Sequence, residues 1–215
     1  MKKLDAYIYE AIAKLDNGQR GIIVFDIDDT LLKVDSSNMK VYKRTADGDE
    51  IALTTSQFAS DPDAGRADKS HMFDFRDMTD PQKVYNSIIK GMPLIKNLRI
   101  LDSYINAGYD FCFLTARGCE SAVQAALSKF LRFRDKATGA LRKLGDTFKH
   151  TLSAAVNDGI KKYSGATDAE KKANILLDIC RKYDRVVFVD DDIKNIKHAK
   201  SLNMPNLTII KAWKY

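Results

Sequence analysis

The sequence predicts an α/β fold in which a doubly wound parallel sheet carries helices on both faces, and three observations lead there. "GIIVFDI" at 21–27, "YDFCFLT" at 109–115 and "RVVFVDD" at 185–191 are apolar runs of strand length, as strands buried on both faces require. Helical patterns separate them, the alternation of a parallel sheet. Two of the runs end in clustered aspartates, at the carboxyl end where open α/β sheets bind ligands.

Ahead of the first run, Leu4, Ile8, Ala11, Ile12 and Leu15 recur at helical spacing, and Asn17-Gly18 follows as a stop signal, predicting a core-facing amphipathic helix. Asp5, Glu10, Lys14 and Asp16 interrupt that segment, which disfavours a signal peptide or a membrane span. After the first run, residues 33–92 precede the next core helix, far more than a crossover needs, and are expected to form a small cap or flap insertion. Within it, Val41-Tyr42, the turn Asp47-Gly48-Asp49, and Ile51 with Leu53 give a β-hairpin signature. "ASDPDAGRADKS" at 59–70 reads as a mobile loop. Pro93 is suited to the first turn of a helix whose Leu94, Leu98, Leu101 and Ile105 share a face, with Gly108 as its stop. A further helix is expected from about Asp168 to Tyr183, and "LTII" at 207–210 is a shorter strand.

A chain of 215 residues with 45% apolar content is long enough for one substantial core, so 1–215 is expected to be a single domain carrying the insertion. Cys112, Cys119 and Cys180 form neither an even disulfide set nor a CxxC pair, the pattern of reduced thiols in a cytoplasmic protein. The net charge of +6 is concentrated at residues 129–150, with seven Lys or Arg against two Asp, while the rest is nearly balanced. Phe130, Phe133 and Phe148 among Lys129, Arg132, Arg134, Arg142 and Lys143 fit a platform for single-stranded nucleic acid. The preferred reading is a helix with its aromatics in the core and its charges in water.

Asp26, Asp28 and Asp29 close the first run together, an expensive arrangement unless a cation or proton compensates it. Alternation along a strand sends Asp26 and Asp28 to the same side. Asp190, Asp191 and Asp192 end another run. Carboxylates converging from two strand ends, without His or Cys, suit a hard cation and favour Mg²⁺ over Zn²⁺. Thr115 ends a third run ahead of Arg117-Gly118, where a hydroxyl and exposed amides are suited to phosphate oxygens.

These residues carry a resemblance. "FDIDDTLL" at 25–32 is similar to the first motif of the haloacid dehalogenase superfamily of phosphotransferases, DxDx(T/V). "FCFLT" resembles its second motif, "AEKKANIL" its third with a lone lysine, and "VVFVDDDIKN" its fourth, all in the family's order along the whole chain. The resemblance implies a Rossmann-like core and a Mg²⁺-dependent phosphatase. Asp26 would be the nucleophile that forms an aspartyl-phosphate, and Asp28 the general acid and base. Mg²⁺ would be held by the Asp26 carboxylate, the Asp28 backbone carbonyl and Asp191, with Thr115 and a lysine on the phosphoryl oxygens. The family has one more strand after Thr115, for which "HTLSAAV" at 150–156 is the candidate.

Some assignments stay open at this level. Asp190 is a ligand, a partner of Lys172 or a strand cap, and the family pattern prefers Asp191 as the direct ligand. Lys172, rather than Lys171, occupies the family's lysine position. Asn195 orients the loop or lies on a helix surface, and Thr30 is expected to bond the loop backbone. Arg117 either reaches the substrate or sits on the surface. Expected substrates are phosphorylated small molecules, nucleotides or nucleic-acid ends. The alternative is a phosphate-binding protein on the same scaffold without turnover, against which the pair Asp26 and Asp28 speaks.

Overall fold

The computed structural model describes residues 15–34, 39–65, 71–134, 141–143, 150–153 and 165–213. The helix expected at residues 4–15 falls almost wholly outside them. Five parallel strands make the central sheet: β1 (Gly21–Phe25), β2 (Asp110–Thr115), β3 (His150–Ser153), β4 (Arg185–Asp190) and β5 (Leu207–Lys211). Their order is β3-β2-β1-β4-β5, so "GIIVF" lies at the centre and every residue of it is buried. "HTLSAAV" does supply a strand, β3, with Leu152 opposite Leu114.

Alternation along β1 builds two cores. Ile23 and Phe25 pack with Val84 and Ile88 of α1 (Pro81–Ile89), Leu101 and Tyr104 of α2 (Ile95–Asn106), and Val123 and Leu127 of α3 (Glu120–Phe130). Ile22 and Val24 face the other way, onto Ile175, Leu176 and Ile179 of α4 (Asp168–Cys180) and Ala199 of α5 (Ile193–Ser201). Both faces of the sheet are therefore covered, as its continuous apolar strands require. Gly21 lets β1 start under Tyr109: a Cβ there would lie 2.6 Å from that ring.

The chain leaves the core at Leu32–Lys33 and returns at Met92–Pro93, two stubs that pair antiparallel and form the stem of the insertion. The expected hairpin pairs Val41–Arg44 with Glu50–Leu53, and Phe73–Asp74 adds a third strand beside it. Phe58, Phe73 and Phe75 cluster there, with Phe58 edge-on to both partners at 5.1 and 5.3 Å.

Three expectations are corrected. Pro93 does not open a helix: it lies opposite Leu32, and α2 starts at Ile95, because Pro93 closes the stem where a donor is dispensable. Residues 59–65 of the expected loop 59–70 are instead the end of a helix, Thr55–Ser60, and a 3-10 turn, Pro62–Gly65, with Lys43 Nζ holding Asp61 at 2.8 Å and Asp63 at 2.9 Å, while 66–70 fall outside the described residues. The basic segment is not one long helix, since α3 ends at Phe130 and Arg132–Arg134 pairs antiparallel with Leu141–Lys143. Residues 135–140 and 144–149 fall outside the described residues, as do the side chains a nucleic-acid platform would need. Among the described residues, no helix is long and apolar enough to cross a membrane.

Candidate active site

The parallel pairing of β1 with β4 runs one residue past the strand, where the Asp26 N–H donates to the Val189 carbonyl at 3.0 Å. This fixes Asp26, 5% exposed, beside the end of β4. The chain then turns back at Asp29, in the left-handed region at φ 53°, while the N–H groups of Leu31 and Leu32 both donate to the Ile27 carbonyl. Asp28 faces outward from this tight loop with a partly exposed carboxylate.

The three aspartates ending β4 divide the work. Asp190 is fully buried, and its carboxylate accepts from Asn195 Nδ2 at 2.9 Å, from the Asp192 N–H at 2.8 Å and from Lys172 Nζ at 3.0 Å. Asp191 accepts from the Thr30 hydroxyl at 3.0 Å while donating its own N–H to the same oxygen at 3.0 Å. Asp192 caps α5 by accepting the Lys194 N–H. One carboxylate oxygen each from Asp26, Asp190 and Asp191 lies within 4.8 Å of the others, a group that could hold a metal ion.

Lys172 lies in the first half of α4, which starts with a capping box between Thr167 and Glu170. Its ammonium, in a side chain 4% exposed, bridges Asp26 at 2.7 Å and Asp190 at 3.0 Å. Lys171 points elsewhere, to an i,i+3 pair with Asp168. Burial pushes the Asp26 carboxyl well above the ordinary carboxylate range; Asp190 and Asp28 add to that shift and Lys172 opposes it. Burial alone would push the Lys172 ammonium down, but Asp26 and Asp190 outweigh it and hold the proton on. With the carboxylates ionised, three negative charges face one positive charge, and the remaining two match a dication.

Thr115 ends β2 fully buried, at the same end of the sheet as Asp26 given the register of Phe25 opposite Phe113. Its hydroxyl accepts the Arg117 N–H at 3.2 Å. The surface reading of Arg117 is corrected: the side chain is 1% exposed, and its guanidinium is turned onto a carboxylate of the neighbouring loop. Its Nε donates to Asp28 Oδ2 at 2.8 Å and its Nη2 to Asp28 Oδ1 at 2.5 Å. Nothing in the sequence signals a fork between residues 89 positions apart.

Asn97 was also missed. Fully buried at the start of α2, its Nδ2 donates to the Thr30 carbonyl at 2.7 Å and to the Trp213 carbonyl at 3.1 Å, and its Oδ1 accepts the Trp213 N–H at 3.0 Å. The segment after β5 is thereby tied to the loop that carries Asp26 and Asp28. A separate groove of about 350 Å³, lined by Gln19, Tyr104, Tyr109 and Arg185 among others, lies at the amino ends of the strands, away from the carboxylates.

In chemical terms, the carboxyl end of the sheet gathers a nucleophile-capable carboxylate, a second carboxylate two residues on, a buried ammonium and a hydroxyl. Compared with known proteins, the chain matches no family model, no curated protein and no solved structure.

Proposed function

We propose that this protein is a Mg²⁺-dependent phosphomonoester hydrolase of the haloacid dehalogenase type, working through an aspartyl-phosphate on Asp26. The observation that carries the reading is the buried group of Asp26, Asp190 and Asp191, in which a single ammonium from Lys172 bridges the first two. An all-oxygen donor set with two uncompensated charges fits a hard dication. Asp26, Asp191 and the Asp28 backbone carbonyl would hold the ion, which when bound supplies charge neutralisation for an incoming phosphate.

The chain's own residues account for the remaining steps. An Asp26 oxygen attacks phosphorus, the bond to the leaving oxygen breaks, and Asp28 protonates that oxygen. Asp28 then takes a proton from water, whose oxygen displaces Asp26 and releases inorganic phosphate. Lys172 and Thr115 take up charge on the phosphoryl oxygens, and Asp190 with Asn195 holds Lys172 in place. The insertion, with its stem at Leu32 and Pro93, acts as a small cap on the site. It leaves room for bulky substrates, nucleotides and phosphorylated nucleic-acid ends among them.

The test is a hydrolysis screen with Mg²⁺ over nucleotides, sugar phosphates and 5′- or 3′-phosphorylated oligonucleotides. Phosphate release that disappears in chelator and in Asp26→Asn is the expected result. Full activity in chelator, or an Asp26→Asn variant that keeps more than a small fraction of the rate, would overturn the reading.

A further inference from the structure

The loop after β2 is fastened to the insertion at every residue from Arg117 to Cys119. Arg117 Nη1 donates to the Ser87 hydroxyl at 2.5 Å and lies 3.4 Å from the Val84 carbonyl, both on α1. The Gly118 N–H donates to the Met78 carbonyl at 3.1 Å, and Cys119 Sγ to the Thr79 carbonyl at 2.7 Å, both in the short helix Arg76–Thr79. The opposite edge of the same guanidinium holds Asp28. One rigid plane therefore has the insertion on one side and a carboxylate of the candidate site on the other.

We propose that Arg117 is the positioning residue for Asp28, and that α1, gripping Arg117 through Ser87 and Val84, sets the direction in which the Asp28 carboxylate points. This inference rests on the phosphatase reading and assigns a regulator to its acid–base residue. A guanidinium is planar, with donors in a fixed fork, so a shift of the groups on Nη1 rotates the Nε–Nη2 edge. Arg117 is too deeply buried to give up its partner, so the Asp28 side chain follows that edge whether or not its outer oxygen carries the proton it donates. The Asp28 side chain is nonetheless 42% exposed while its partner is 1% exposed. A pair serving only to hold the core together would have no use for a carboxylate that water reaches. The seating of the insertion is thus transmitted to the group that must meet the leaving oxygen.

A kinetic double-mutant cycle on the full chain with Mg²⁺ tests this, using glycerol phosphate as an alkyl ester and p-nitrophenyl phosphate as an aryl ester. Ser87→Ala deletes only a hydroxyl, and Arg117→Lys keeps the charge but not the fork. Each should lower kcat for the alkyl ester roughly tenfold, a part of the about 10²- to 10⁴-fold that a general acid contributes in full, and leave KM within about twofold. The aryl ester, whose leaving group needs less help from a proton, should lose less. In an Asp28→Asn background neither substitution should slow turnover further. Losses that multiply in that background mean action independent of Asp28 and overturn the inference. A raised KM with unchanged kcat also overturns it, because Arg117 would then bind substrate. A wild-type chain that hydrolyses neither ester sinks the phosphatase reading and this inference together; an active wild type with independent losses sinks the inference alone.

Discussion

Lys172 and Arg117 are both buried cations serving aspartates of one short loop, but they serve them differently. Lys172 shares a single ammonium between two carboxylates that are themselves buried, Asp26 and Asp190. Arg117 commits a two-pronged fork to one carboxylate that water can still reach. Sharing leaves negative charge over, with Asp191 adjoining, and so favours a further cation. The dedicated fork leaves no charge over and fixes a direction. The pair shows that buried cations in one site need not do one job: the ratio of charges and the exposure of the anion tell the jobs apart.

The largest expected effect tests that difference directly. Lys172→Met strands two buried carboxylates and should lower unfolding stability in chelator by about 3–5 kcal/mol, the usual loss on breaking a buried pair. Mg²⁺ should restore part of it by taking over the compensation. Arg117→Met leaves Asp28 able to hydrate and should lose about 1–3 kcal/mol, the loss of bonds to buried polar groups, with no relief from Mg²⁺. Urea unfolding of both variants with and without Mg²⁺ measures this, and equal relief in the two would erase the comparison.

A smaller effect concerns how Asp191 is held. Thr30→Val removes the hydroxyl that both donates to the Asp191 carboxylate and accepts its N–H. Mg²⁺ affinity should fall about 10–100-fold, as with other groups that orient a ligand, and calorimetric titration reads it. Unchanged affinity would remove Asp191 from the ligand set. Smallest is Asn195→Ala, which withdraws one donor from Asp190 while Lys172 and the Asp192 N–H remain. A loss of about 1 kcal/mol is expected, and one as large as that of Lys172→Met would make Asn195 an equal partner in compensating charge.

What the sequence made legible was whatever is local in the chain. Asp26, Asp28, Asp190 and Asp191 stand out because each closes an apolar run, and Lys172 through the resemblance, which places its lysine at that position ahead of Ile175 and Leu176. The β1, β2 and β4 strands are continuous runs buried on both faces, so the sheet was readable as well. Arg117 was misread because its partner is decided by tertiary packing that brings the insertion helix and the Asp28 loop to the same side chain. Phe130 and Phe133 stand three apart and imitate a helix, and that masked the alternation of Arg132, Phe133 and Arg134 in a short hairpin strand. The strand Phe73–Asp74 has only two residues, too few for any period to show.

Asn97 has a consequence for how the site can be observed. Trp213 is the chain's single tryptophan, and Asn97 ties its backbone to the Thr30 carbonyl while the residue stays about half exposed, with Lys96 Nζ 5.5 Å from the ring centroid. Excited at the red edge of the aromatic band, where the nine tyrosines absorb little, its emission carries no signal from another tryptophan. An ion that reordered Thr30 and Asp191 would move the carbonyl Asn97 grips, and a shift in the indole's emission wavelength is the expected readout. Trp213 would then serve as an intrinsic optical probe of the carboxylate cluster, readable without a label and before any substrate is known.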